Sequence, residues 1–185
     1  MKLLSPSFFR RRAEEVARDL LGASIRSTVG GLPAGGLIVE TEAYLGFDDP
    51  ASHGYRGRIH AGNANLYAPP GTWYVYRSYG IHWCANLVCG GPASGSAVLL
   101  RGVLPLRGLG LIRKRRGGVA EEALANGPGK LCQALGITRE LDGIPMRRSG
   151  VVVSEANESG GESVTITPRI GITKAVDWPL RFVLT

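Results

Sequence analysis

The sequence predicts a single α+β domain, residues 1–185, in which helices flank an antiparallel sheet. Three observations carry that expectation. An amphipathic segment opens the chain, with Phe9, Ala13, Val16, Ala17 and Leu20 recurring on one helical face. From residue 23 onward the pattern changes to short strand-like runs punctuated by glycine. The chain has 185 residues, 44% hydrophobic and 20% charged, a size and balance at which one core can form without disulfides or a structural metal.

Taken in order, Ser5 is placed to cap the opening helix, Pro6 suits its first turn and Gly22 ends it. Strands are expected over residues 23–29, 36–44, 72–77, 81–88 and 97–103. A turn is expected over residues 30–35, and Ser78-Tyr79-Gly80 is short enough to join two strands as a hairpin. Residues 46–71 show little periodicity and hold Asp48-Asp49-Pro50, His53, His60 and Pro69-Pro70. A loop of that length in a small domain is usually functional or disordered. The basic, glycine-containing stretch 113–122 reads as a solvated loop. A second helix is expected from about Asn126 to Gly136, with Leu131, Ala134 and Leu135 on its apolar side, and strands resume over 151–154, 163–167 and 180–184. No repeat and no second domain is visible.

Composition narrows the function classes. No apolar run is long enough to cross a bilayer, and the N-terminus lacks the apolar core and cleavage site of a secretory signal, so a cytoplasmic protein with no membrane partner is expected. Cys84, Cys89 and Cys132 are odd in number and show neither C-x-x-C pairing nor a His at zinc spacing, so no metal site is expected. A net charge of +7 favours a polyanionic partner, because neutralising phosphates releases counterions.

Two stretches carry chemistry. In Val39-Glu40-Thr41-Glu42-Ala43-Tyr44, strand alternation sends Glu40, Glu42 and Tyr44 to one face. The two glutamate Cα atoms would lie about 6.8 Å apart, near the carboxylate spacing of glycosidases that activate water. The plainer alternative is the solvated face of an edge strand. The second stretch, Tyr67 to Trp83, sets six aromatic residues around the hairpin. Trp73, Val75 and Trp83 suit a core, whereas Tyr79, beside Gly80 at the turn, is poorly placed for one. An aromatic side chain projecting from a basic protein can stack on an extruded base or fill the gap it leaves.

These stretches belong to an ordered set running from Ala17-Arg18-Asp19-Leu20-Leu21-Gly22 to Pro179-Leu180-Arg181-Phe182. Between them come Glu40-Thr41-Glu42-Ala43-Tyr44, Ala51-Ser52-His53, Pro70-Gly71-Thr72, Tyr74-Val75-Tyr76, Tyr79-Gly80, Cys84-Ala85-Asn86, Val98-Leu99-Leu100-Arg101, the stretch 127–135 (GPGKLCQAL) and Arg169-Ile170-Gly171. In this the chain resembles the alkyladenine (3-methyladenine, N-methylpurine) DNA glycosylase family over nearly its whole length. The resemblance implies a curved, open-barrel-like sheet with a tyrosine hairpin projecting into the DNA minor groove. It implies a monomeric, monofunctional base-excision-repair enzyme acting on double-stranded DNA that holds damaged purines, with no cofactor and no lyase step. Glu42 then matches the general base that activates water, and Arg101 and the backbone carbonyl of Ile170 match positions that help hold that water. Tyr44, His53 and Tyr76 match residues enclosing the flipped base, and Asn86 one that crowds the guanine amino group. Tyr79 matches the side chain that replaces the flipped nucleotide, with Arg77, Tyr74 and Lys130 as further DNA contacts. The loop 54–67 and Arg77-Ser78 depart from the family pattern. Two rivals remain at this point: a noncatalytic nucleic-acid-binding module, which has no use for a carboxylate facing the base, and a carbohydrate hydrolase using Glu40 and Glu42.

Overall fold

The chain opens on two short helices, α1 (Pro6–Phe9) and α2 (Ala13–Asp19), where one continuous helix was expected. Ser5 does cap the first, its Oγ accepting from the Phe8 N–H. The break falls at Arg12, whose extended backbone (φ −59°, ψ 147°) re-aims the chain, so that Phe9 and Val16 are both fully buried. The structure, a computed structural model, describes residues 2–155 and 163–185.

Strands β1 (Ser24–Ser27), β2 (Ala34–Tyr44), β3 (Trp73–Ser78), β4 (His82–Cys89) and β5 (Ser96–Arg107) follow. After them come α3 (Leu109–Arg116), α4 (Pro128–Leu135), β6 (Val151–Ser154), β7 (Val164–Thr167) and β8 (Arg181–Leu184). Every expected strand forms; 151–154 keeps its bounds, and the others shift by up to four residues at an end. The turn before β2 is shorter than expected, since Ala34 and Gly35 already pair with Ser27 and Arg26. The larger correction is α3, which makes residues 113–116 helical. Gly108 and Gly117, both left-handed, bracket it, and four basic residues in its last turn face the carbonyl end of the helix, where cations are favoured. Only Ile112 of this helix is fully buried, so its apolar periodicity is too faint to read.

All pairings are antiparallel and the sheet is open, in the order β3-β4-β5-β2-β1-β6. Strand β2 is its axis. β5 pairs along one side of β2, while on the other side β1 takes Ala34–Leu37 and β8 takes Glu40–Glu42, so the sheet forks. Register against β5 shifts on both sides of Glu40, a bulge of the kind that bends a strand and re-aims side chains. Gly36 permits the close approach of β5, because a Cβ there would lie 1.9 Å from the Leu104 carbonyl oxygen. The β3 edge is covered by the segment after α4: Asp142 Oδ1 accepts from the Val75 N–H and the Ile144 carbonyl from the Trp73 N–H.

Alternation then divides the sheet into two faces. Ala43, Trp73, Val75, Ala85, Leu87, Val98 and Leu100 enter the main core, against which α2 and α4 pack. Their neighbours Glu42, Tyr44, Tyr74, Tyr76, Cys84, Asn86, Leu99 and Arg101 point the other way. The pairings Tyr74↔Asn86, Asn86↔Leu99 and Leu99↔Glu42 set one row across four strands. That row lies under a cleft.

Candidate active site

The cleft has a volume of about 990 Å³, and its floor and walls come from β2 to β5, the loop around His53, the N-terminal end of α4 and the segment 170–174. Glu42 lies beneath this floor with no exposed surface. Its Oε2 accepts from the Tyr44 hydroxyl at 2.9 Å, its Oε1 from the Ile170 backbone N–H at 2.7 Å, and Arg101 Nε lies 3.4 Å from Oε1. Burial raises the Glu42 pKa above the usual carboxylate range, against the pull of Arg101, the Ile170 N–H, Tyr44 and Arg169.

Glu40 is different. Its Oε1 accepts from Arg101 Nε at 2.9 Å and from Arg181 Nε at 2.6 Å. Burial works against its charge, but these two guanidinium groups outweigh burial and hold its carboxyl below the usual range. The two carboxylates of the Glu40-Thr41-Glu42 stretch therefore have opposite characters, one basic and one locked as an anion.

The aromatic wall is continuous. Tyr74 and Tyr76 stack at 5.5 Å between ring centroids, and His53 packs edge-on to Tyr76 at 4.5 Å. His53 Nδ1 and the Tyr74 hydroxyl share a hydrogen bond of 2.8 Å. His53 is exposed at the cleft mouth, yet desolvation where its ring packs against Tyr74 and Tyr76 lowers its pKa, with a smaller push from His60, which favours the neutral imidazole. Burial raises the pKa of Tyr44, Tyr74 and Tyr76 as well, so all three stay protonated. Asn86 Nδ2 donates to the carbonyls of Tyr74 and Cys84, which fixes its rotamer.

At the hairpin tip, Tyr79 is 88% exposed and Ile81 is 65% exposed. The Ile81 N–H closes on the Ser78 carbonyl, and both Tyr79 (φ 50°) and Gly80 (φ 67°) are left-handed. Arg77 lies over the Trp83 ring, and Lys130 sits at the mouth with its Nζ donating to Asn126.

The structure therefore brings Glu42, Tyr44, His53, Tyr76, Asn86, Arg101 and Ile170 into one site, with Tyr79, Arg77 and Lys130 at its rim. Tyr74 is not at the rim. It is only 3% exposed and its hydroxyl is engaged by His53, which places it in the cleft wall. Ile170 meets Glu42 through its N–H, a contact the sequence did not point to. Of the basic cluster 113–116, only Arg116 reaches the cleft. Arg113 pairs with Glu121, and Arg115 donates to the carbonyls of Ala134 and Val29. Sequence reasoning missed Asp49 and gave Arg169 no role, although the two form a fully buried ion pair behind Tyr44. Among the described residues no cluster of His, Cys, Asp or Glu is arranged to hold a metal ion, and no helix is long and apolar enough to cross a membrane.

A buried carboxylate beneath an aromatic cleft, with a hairpin tip and basic side chains at its rim, defines the class as an enzyme site fitted to an aromatic, polyanion-borne substrate. Residues 7–185 match the methylpurine-DNA glycosylase (MPG) family, and the chain belongs to that family. A protein of Agrobacterium fabrum, provisionally named a 3-methyladenine DNA glycosylase, is 51% identical over 176 residues, covering 95% of this chain and 86% of its own length. Proteins with the same provisional name from Granulibacter bethesdensis and Rhodopseudomonas palustris are each 48% identical, covering 95% and 97% of this chain and 81% and 84% of their own lengths.

Proposed function

We propose that this DNA glycosylase extrudes a damaged purine from duplex DNA into the cleft and hydrolyses its glycosidic bond with water activated by Glu42, leaving an abasic site. The observation that carries this reading is Glu42 itself, a sealed carboxylate held by Tyr44, Arg101 and Ile170 directly below the aromatic wall. Burial makes it a stronger base, against the pull of Arg101 toward the charged form. To meet water, Glu42 must be uncovered by the groups that seal it, Tyr44, Arg101 and Ile170, so the attacking water is held among them.

Tyr44, Tyr76 and His53 enclose the base. The aromatic faces attract a cationic ring such as 3-methyladenine or 7-methylguanine, whose leaving group already carries positive charge. Hypoxanthine and ethenoadenine are neutral and need a proton on the leaving purine. A neutral His53 orients them by hydrogen bonding rather than supplying that proton. Asn86, tied to two carbonyls, cannot swing aside, which suits it to reject a guanine amino group. Arg77 and Lys130 meet phosphates. Glu40, neutralised by Arg101 and Arg181, is unsuited to act as a second acid, which disfavours a sugar hydrolase.

The test is single-turnover incubation with duplexes bearing one defined lesion each, analysed with and without hot alkali. Base release from at least one alkylated or deaminated purine is expected, with strand breaks only after alkali. No release from any lesion would sink the reading, and breaks without alkali would remove its monofunctional part.

Tyr79 gives a separate prediction. A left-handed aromatic residue is strained, whereas asparagine tolerates that conformation, so Tyr79→Asn should hold or raise the melting temperature. The same change removes the wedge, and the flipping equilibrium, read by ethenoadenine fluorescence, should fall about ten- to hundredfold, as expected for one lost base stack. An unchanged flipped fraction, or a large drop in melting temperature, would assign Tyr79 to the fold instead.

A further inference from the structure

The least expected feature beside the cleft is a charged pair that solvent does not reach. Arg169 and Asp49 have fully buried side chains, joined by two bonds: Nη1 to Oδ2 at 2.5 Å and Nη2 to Oδ1 at 2.9 Å. A buried ion pair is weak evidence for a stabilising role, because apolar side chains of the same volume usually hold a fold as well or better. What the pair connects is more telling. Arg169 Nη1 also donates to the Ala43 carbonyl, between Glu42 and Tyr44, and Asp49 accepts from the backbone N–H groups of Leu45 and Ala51, flanking the turn from Tyr44 toward His53. The guanidinium carbon lies over the Tyr44 ring, 4.6 Å from its centroid. Among the described residues, the segment 168–174 makes no backbone-to-backbone hydrogen bond, so Arg169 and the Ile170 bond to Glu42 are what place it.

We propose that the Asp49–Arg169 pair is a positioning element of the catalytic site, fixing the Ile170 peptide against Glu42 and the ring of Tyr44 in the orientation that base release requires. This rests on Glu42 being the base. Arg169 touches no reacting atom and acts through Ile170 and Tyr44. The groups facing Glu42 are Glu40 and Tyr44 from β2, Cys84 from β4, Arg101 from β5, and Arg169 with the Ile170 N–H from the 168–174 segment, while Arg181 of β8 reaches it through Glu40. Loosening the segment removes two of the influences that favour the charged carboxylate, so the acid limb of the rate profile moves to higher pH.

The experiment uses two variants of the full chain. Arg169→Lys keeps the charge but has one head, and cannot hold both Asp49 oxygens, the Ala43 carbonyl and the Tyr44 ring together. Asp49→Leu/Arg169→Met removes both charges together, and its melting temperature is expected somewhat below the parent's, because the Leu45 and Ala51 N–H groups and the Ala43 carbonyl lose their partners. In both, single-turnover base release should fall about ten- to hundredfold, the size of effect a misplaced catalytic geometry produces. The acid limb should shift upward, with abasic-DNA affinity unchanged. Parent-like rate and acid limb in either folded variant overturns the proposal, and so does loss of folding in both, which would make the pair structural. Glu42→Gln is assayed alongside. If it keeps the parent rate the assignment of the base fails, whatever Arg169 does, whereas an inactive Glu42→Gln with parent-like Arg169 variants defeats this proposal alone.

Discussion

Glu42→Gln should lower single-turnover base release by about 100- to 10,000-fold, the usual contribution of a general base, while binding to lesion DNA persists. The amide keeps the shape of the carboxylate and can still accept from the Ile170 N–H, but it cannot take a proton from water. Stability should move the other way. The folded-state pKa of Glu42 is raised, so its contribution to stability is fully present at low pH, where the carboxyl is neutral, and is lost as pH rises through that raised value. At neutral pH the buried charge is therefore a liability, and a neutral isostere should melt at or above the parent temperature. For the parent enzyme the same shift has a kinetic consequence: base release should fall in acid with a midpoint above the ordinary glutamate range. Glu40→Gln should cost much less, because Glu40 is already an anion shared between two arginines. Measuring rate, binding and melting on both variants decides the matter. A Glu42→Gln enzyme at the parent rate, or an inactive Glu40→Gln beside an active Glu42→Gln, would refute the assignment.

How much of this could be read in the sequence follows from the length scale of each cause. Strands were legible because alternation and glycine punctuation are local, so Glu42 and Tyr44 could be placed on one face from residues 39–44 alone. Tyr79 was legible because a three-residue connection leaves an aromatic nowhere to hide, and 88% exposure is the result. The helix α3 was missed because one buried residue in eight leaves no stripe to detect. Alternation put Tyr74 on the same face as Tyr76, but could not say that the loop around His53 would fold over it and bury it. Nothing local in Asp48-Asp49-Pro50 distinguishes its two acids. Only the return of the chain 120 residues later brings Arg169 to one of them.

That distant return gives the largest expected effect on stability. Asp49→Asn should destabilise the fold by about 3–5 kcal/mol, the cost of leaving a buried partner charge uncompensated. For a domain of this length that corresponds to a melting temperature lower by roughly 6–20 °C. The side chain would keep its size, so packing does not enter. What changes is the hydrogen bonding: four N–H groups converge on the two Asp49 oxygens, from Leu45, Ala51 and both guanidinium nitrogens. An asparagine offers one acceptor and turns a donor toward the others, so at least one buried donor faces another donor, and the Arg169 guanidinium loses the carboxylate bonded to it. The contrast with Glu42→Gln separates the two carboxylates by sign. Both are buried and both become neutral amides, yet one change relieves a charge that burial disfavours and the other strands the arginine that the carboxylate had neutralised. Thermal melts of the two single variants at neutral pH read this directly, and an Asp49→Asn protein melting within about 2 °C of the parent, less than 1 kcal/mol on this scale, would show that Arg169 is not held by Asp49.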